Sequence, residues 1–299
     1  MATWLRRVLG SRSDTTSLLK NAGALFSGTS LTAAANLLAM VIAARVLDAR
    51  EFGALAVFTA FLLTVKEVAN LNSWQALVAS GAAHHHDDNS ASLSRYVRTC
   101  LFLDAVLFGL AGIISVIVVR IWGEDLSVPD AIIQGSWILA IPLLFSATEG
   151  VTSGLLRLYG RFWPVSLAGF AGAAAPLIGF AGCWLLGAGL YGMMLVQAAA
   201  LCLPPLVLLG TSWQLTKQCV TTASGRMERD QFLELARFLF VTNLSTSLLS
   251  IARRADVLVV GSLAGFSEAG LFRVAKTLGS VIQTFQAPLA FALFPQLAH

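Results

Sequence analysis

Asn243, Ser247, Ser250 and Arg254 recur at steps of four, three and four residues within one apolar stretch. On a helix, at 100° per residue, they form a stripe about 60° wide. An amide, two hydroxyls and a guanidinium on one face suit a ligand that carries both negative charge and hydroxyl groups. Arginine pairs with oxyanions in a planar fork, and amides and hydroxyls bond to hydroxyls. Arg253 and Asp256 share a neighbouring face at i,i+3 and are expected to pair, which leaves Arg254 as the less compensated cation. Arg273 and Lys276 in the next apolar stretch, and Lys66 in an earlier one, are further candidate anion ligands. Asp256, Glu67, Glu149 and Arg45 are candidates for gating or ion coupling. The competing expectation for these charges is structural: ion pairs that lock helices, or long side chains that reach back to the membrane surface.

These charges stand out because the chain has few. Of 299 residues, 57% are hydrophobic and only 12% charged, against roughly 25% charged in soluble domains. An all-α integral membrane protein is expected. A guanidinium near the bilayer centre costs about 2.5–3.5 kcal/mol even on the lenient insertion scale, so charges that persist there are expected to face protein or a wet cavity. No nucleic-acid motif occurs, and the net charge of +4 implies no nucleic-acid partner. Cys100, Cys183, Cys202 and Cys219 are scattered without metal or redox spacing and are expected to be small buried hydrophobes. His84, His85, His86, Asp87 and Asp88 sit together in a polar stretch, but consecutive histidines cannot all face one ion on a regular helix, so no metal site is assigned. No catalytic constellation and no cofactor are expected.

The elements that position these residues are about eight membrane spans. Residues 1–20 read as a cytoplasmic, interfacial segment with Trp4, Leu5, Val8 and Leu9 at helical spacing. Residues 21–212 hold six spans as a first lobe. Within it, the apolar run Ala22–Ala44 is long enough to cross ~30 Å, and the second span starts at Phe52 and ends at the polar group Asn70, Asn72, Trp74 and Gln75. The third runs about Tyr96–Trp122 with Asp104 near its interfacial start. The fourth runs about Ala131–Leu156 and is expected to kink at Pro142. Phe162–Thr216 carries no charge over 55 residues, so it holds two spans with a hairpin at Gly187–Gly192. Pro176, Pro204 and Pro205 are tolerated there because membrane bundles re-satisfy freed backbone groups. Residues 213–231 form a cytoplasmic linker, and 232–299 begin a second lobe with spans seven and eight.

With the N-terminus cytoplasmic, the inner ends hold Arg6, Arg7, Arg12, Lys20, Arg95, Arg98, Arg157, Arg161, Lys217, Arg226 and Arg229, and the outer turns hold Arg45, Arg50 and Arg120. Eleven against three is a positive-inside bias that supports both the orientation and the span count.

The turn after the first span, Leu47-Asp-Ala-Arg-Glu51-Phe-Gly53, is echoed 217 residues later by Ser267-Glu268-Ala-Gly270 after the seventh. An internal repeat one six-span block long is expected, with glycine allowing a tight exit turn and the glutamate capping the next helix. The same residues carry a family resemblance. Ala44-Arg45-Val-Leu47-Asp-Ala-Arg-Glu51-Phe52-Gly53, Gln75-Ala-Leu-Val78, Leu155-Leu-Arg157-Leu-Tyr-Gly160-Arg161-Phe162, Arg254-Ala-Asp256-Val-Leu-Val-Val-Gly261, Glu268-Ala-Gly270-Leu-Phe and Phe294-Pro295 resemble, in order and spacing, the Wzx-type polysaccharide flippases. Those belong to the multidrug/oligosaccharidyl-lipid/polysaccharide exporter superfamily. The resemblance covers residues 17–299. It implies alternating-access transport of a polyprenyl-diphosphate-linked oligosaccharide across the bacterial inner membrane, for lipopolysaccharide or exopolysaccharide. Membrane lipids and polysaccharide polymerase or assembly proteins are the implied partners. The chain departs from the family in having Asn70 and Asn72 where an acidic residue is common, and eight spans where twelve to fourteen are usual, so the last helices are absent from this stretch. A multidrug or cation exporter of the same superfamily and a membrane-embedded glycan-assembly transferase are the alternatives.

Overall fold

The computed structural model describes residues 32–85, 90–124, 128–222 and 227–279, with helices and no strand among them. The expectations for residues 1–20, His86–Asp88, Arg226 and residues 280–299 lie outside the described residues. Among the described residues the helices are α1 (Thr32–Val46), α2 (Ala49–Ala69), α3 (Ser73–His85), α4 (Ser90–Trp122), α5 (Asp130–Gln134), a 3-10 turn at Ser136–Leu139, α6 (Ala140–Ser146), α7 (Glu149–Leu158), α8 (Trp163–Leu186), α9 (Gly189–Thr222) and α10 (Arg229–Leu263). A last helix, α11, runs over 266–279. Among the described residues, six stretches are long and apolar enough to cross a membrane. They correspond to the second to seventh spans, while the first and eighth run partly into residues that are not described.

Two spans are broken in mid-course. The second does not end at Asn70. Its chain leaves α2 there, turns through Asn72 in the left-handed region (φ 54°), and resumes as α3. Asparagine is one of the few non-glycine residues that tolerates this conformation. The fourth span is a series of short helices from α5 to α7. Its breaks fall at Gly135 and at Ala147–Thr148 rather than at Pro142, because Pro142 sits in the first turn of α6, where a missing N–H costs no helical bond. The hairpin between α8 and α9 forms where expected, with Gly187 (φ 65°) and Gly189 (φ 59°) left-handed. Helices α9 and α10 extend into much of the polar connection around residues 213–231.

At the start of α2 the side-chain cap is Asp48, whose Oδ1 accepts from the Glu51 N–H at 2.7 Å. The expected capping glutamate is instead in the first turn, as in a capping box. The core gathers Phe52, Leu55, Phe58 and Leu62 of α2 with Leu139, Leu143, Met193 and Met194. Large apolar side chains such as Phe102, Ile113, Ile178 and Leu185 are exposed, as lipid-facing surfaces require.

Candidate functional site

Helix α10 lies antiparallel along α2, and its polar stripe meets backbone. Asn243 Nδ2 donates to Val68 O at 3.1 Å and to Asn70 O at 2.5 Å. Ser247 Oγ donates to Glu67 O at 3.3 Å, and Arg254 Nη1 to Leu63 O at 2.8 Å. Asn72 Nδ2 crosses the other way to Thr246 Oγ1 at 2.8 Å. The physical reason is the break in the second span. The carbonyls of Val68 and Asn70, at the end of α2, have no helical donor, and inside a bilayer no water supplies one. Glu67 O already accepts from the Asn70 N–H at 3.2 Å and Leu63 O lies inside the helix, so Ser247 and Arg254 add second donors there. The stripe that suited a cargo thus serves, in this structure, as the cap of a broken helix. Ser250 is half-buried on the same face, and the opposite face of α10 exposes Phe240, Val241, Leu244 and Leu248.

The expected pair of Arg253 with Asp256 does not form. Asp256 pairs with Lys276 of α11 at 2.6 Å, and Lys276 also donates to the Arg253 carbonyl. Residues i and i+3 on α10 are neighbours, but a cation on the adjacent helix reaches the carboxylate more directly. Arg253 is exposed, as is Arg45 near the end of α1. Glu67 takes part through its carbonyl. Lys66 reaches across the bundle to Glu149 at 2.7 Å, joining the last turn of α2 to the first turn of α7.

A cavity of about 500 Å3 opens between α1, α2, α8, α9 and α11. Of the sequence-predicted site residues, Arg273 lines it, and it is the charged residue among the lining. Its Nη1 donates to Ala56 O at 3.3 Å, a long bond that leaves the other guanidinium donors for a ligand. Asn36, Thr59, Gln197 and Thr277 are the polar lining. Pro176, Pro204 and Pro205 each remove the N–H that would bond the carbonyl four residues earlier. Those residues, Gly172, Ala200 and Leu201, all line the cavity. The cavity therefore offers one cation, several neutral polar groups and backbone acceptors.

The α1–α2 and α10–α11 turns touch each other. Gly53 and Gly270, the two echoed glycines, pack so closely that a Cβ on Gly270 would lie 3.1 Å from Gly53 N and Cα.

Residues 18–299 match the family described as polysaccharide biosynthesis protein. The chain belongs to this family. It is similar to the inner membrane protein YghQ of Escherichia coli (strain K12), with 22% identity over 295 residues, 94% of this chain and 80% of that protein. It also resembles a solved structure described as the inward-facing conformation of a multidrug resistance MATE family transporter of the MOP superfamily. That match has a TM-score of 0.52 and 14% identity, over 84% of this chain and 56% of the other. This polysaccharide biosynthesis family member thus has a MATE-like fold and spans just over half the length of that transporter. Family membership, the apolar spans and the inner-membrane relative make it a multi-pass membrane protein of the polysaccharide biosynthesis family.

Sequence reasoning missed Asp104. Helix α4 begins at Ser90 rather than near Tyr96, which sets Asp104 about 21 Å into the helix, and its side chain is only 2% exposed, buried within the bundle. It lies against Gly150 and Ser73, since a Cβ on Gly150 would be 3.3 Å from Asp104 Oδ2 and 3.3 Å from Ser73 Cβ. These residues begin α7 and α3. Helix dipoles offer an anion about 0.3–2 kcal/mol, less than the several kcal/mol that desolvating a carboxylate costs. Gln197 was also missed, being a lone polar residue in an apolar run.

The α10 cap makes a first prediction. Asn243→Leu leaves the Val68 and Asn70 carbonyls without their donor and is expected to cost about 1–3 kcal/mol. Ser250→Ala is expected to stay within about 0.5 kcal/mol. Equal unfolding midpoints of the two purified variants in detergent would show that the cap contributes nothing.

Proposed function

We propose that the protein translocates a polyprenyl-diphosphate-linked oligosaccharide across the bacterial inner membrane for surface polysaccharide, with the headgroup held in the cavity at Arg273. The observation that carries this reading is a cavity whose charged lining residue is an arginine with spare donors. A diphosphate is a dianion that a guanidinium can grip in fork geometry. Sugar hydroxyls suit the carbonyls freed by the three prolines and the side chains of Asn36, Thr59, Gln197 and Thr277. A cationic cargo would meet repulsion from Arg273, which disfavours the cation-exporter alternative.

Arg273 comes from α11, whereas the rest of the lining comes from the first six spans apart from Thr277. A ligand bound there bridges the first lobe and the α10–α11 start of the second, as alternating access between lobes requires. The α10 cap, with Arg254, Asn243 and Ser247, would be remade as the lobes rock, and Lys276–Asp256 would hold α11 to α10 as one body. The positive-inside bias supports a cytoplasmic N-terminus, and the resemblance to YghQ supports the inner membrane.

The test is surface glycan in a strain that depends on this gene. Arg273→Ala is expected to reduce export at least about tenfold, the loss of one charge-assisted contact, with lipid-linked glycan accumulating on the inner leaflet. Arg273→Lys should retain part of the activity. Normal export by Arg273→Ala at native expression would overturn the assignment.

A further inference from the structure

A further cavity, of about 320 Å3, lies between the first bundle and the start of the second lobe. Phe58 and Phe61 of α2, Val119 of α4, Ile132 of α5, Leu258 of α10 and Phe266 of α11 are among its walls, and Ser262 is the polar side chain on it. It opens beside α10, where Val259 is 51% exposed. At Val128 it meets another cavity, of about 570 Å3, lined by Asp48, Arg50, Glu51, Glu124 and Asp130. We propose that the two together bind one bilayer phospholipid with an ammonium headgroup, of the phosphatidylethanolamine class. An acyl chain fills the apolar cavity and the headgroup sits in the charged one.

The occupant follows from what surrounds each end. A void among packed side chains forfeits dispersion contacts, and the fluid around a membrane span is hydrocarbon as apolar as leucine. An acyl chain enters such a groove without losing hydration. Water would find one hydroxyl there, and Ser262 Oγ already donates to Val259 O at 3.0 Å. The charged end selects the headgroup. Asp48 is engaged as the α2 cap. Arg50, Glu51, Glu124 and Asp130 belong to none of the ion pairs among the described residues. The guanidinium suits a phosphodiester, and the three carboxylates suit an ammonium that donates hydrogen bonds. A purely anionic headgroup would meet a mouth of net negative charge. These charges stand at the α1–α2 and α4–α5 turns, so the lipid lies in the leaflet on that side. With a cytoplasmic N-terminus, that is the outer leaflet.

The groove is separate from the Arg273 cavity. That cavity uses Phe52, Leu55, Ala56, Thr59 and Leu63 of α2, whereas the groove uses Val57, Phe58 and Phe61, on the opposite face of the helix. The inference therefore does not depend on the cargo. Helices α10 and α11 supply one side of the groove and the first bundle supplies the other. The two sides meet most closely at Gly261, where a Cβ would lie 2.6 Å from Val57 Cγ2. A chain seated there packs on both lobes and favours this arrangement of them, so a change in their packing changes the affinity for the lipid.

The experiment is thermal unfolding of the full chain, purified and delipidated in detergent. It is titrated with dioleoyl-phosphatidylethanolamine, dioleoyl-phosphatidylglycerol or undecaprenyl phosphate. Phosphatidylethanolamine is expected to raise the midpoint by on the order of 5 °C near saturation, and phosphatidylglycerol by clearly less. Val259→Trp fills the groove from an exposed position and should abolish the rise. Glu124→Gln should weaken the preference for phosphatidylethanolamine by about threefold. No rise at all, or a rise that Val259→Trp leaves unchanged, overturns the proposal, the latter marking ordinary lipid around the spans. An equal response to the two phospholipids overturns the headgroup assignment. A rise with undecaprenyl phosphate alone, lost in Val259→Trp, would give the groove to the cargo's tail and overturn the phospholipid assignment. Should Val259→Trp not fold, Ser262→Phe is the second groove-filling variant, read by the same outcomes.

Discussion

Gly53→Ala is expected to destabilise the protein by roughly 2–4 kcal/mol. A Cβ at this position would lie 1.6 Å from the Phe266 carbonyl oxygen, 2.4 Å from its carbon and 3.2 Å from Gly270 N. These are backbone atoms at the start of α11, so no side-chain rotation can make room, and α2 and α11 must separate. Gly261 adds to the same seam, since a Cβ there would meet Val57 Cγ2 at 2.6 Å, though a valine side chain can give way. Gly270→Ala is expected to cost less than Gly53→Ala, because its nearest contacts would be 3.0–3.1 Å. Gly109→Ala, with nothing within 4 Å of the added atom, is expected to be neutral or stabilising by up to about 1 kcal/mol. Unfolding midpoints should follow the order Gly109→Ala, Gly270→Ala, Gly53→Ala. A Gly53→Ala protein as stable as Gly109→Ala would show that the two turns do not pack as described. Separation of the turns should also impair the proposed translocation, because this seam closes one end of the contact between α11 and the first spans.

The echo of Glu-x-Gly was legible in the sequence, but its physical reason was not. Glycine was expected to loosen an exit turn, whereas Gly53 and Gly270 lie within helices and allow two backbones to touch. The positive-φ glycine of the α10–α11 turn is Gly265 (φ 98°). A periodic pattern reports which face a residue occupies, and says nothing about what lies opposite. The stripe of Asn243, Ser247 and Arg254 shows the same limit. Its spacing was plain, but its partners are carbonyls of α2 and its exit, 173 to 191 residues earlier, of which those of Val68 and Asn70 are freed by the helix break. The signal for that break was present in Asn70-Leu71-Asn72, since asparagine is a recognised residue at a helix C-terminus. Asp104 was passed over because nothing in the α4 pattern shows that the starts of α3 and α7 close over it. Arg273 gained weight only from the fold, because no pattern within α11 distinguishes an arginine facing a cavity from one facing a neighbour.

Lys66→Met is expected to cost about 3–5 kcal/mol, and Glu149→Gln a comparable amount, while the double variant should recover most of the loss. Lys66 and Glu149 meet at 2.7 Å with side chains 18% and 33% exposed. Each also stands at a helix end that favours its charge: a cation in the last turn of α2 and an anion in the first turn of α7. Removing one partner leaves the other charge in apolar surroundings, and that is the source of the large single effects. Removing both takes away the attraction and the desolvation cost together, so the net loss in the double variant is small. The double-mutant cycle should therefore give a coupling energy of several kcal/mol, with Lys66→Arg as a milder control. Single variants as stable as the double would mean that the pair is solvated and couples nothing. Because Lys66 lies just before one helix break and Glu149 just after another, the pair ties the two broken spans of the first bundle together. A loss of coupling should loosen both breaks and, with them, the α10 contacts that depend on the carbonyls of Glu67, Val68 and Asn70.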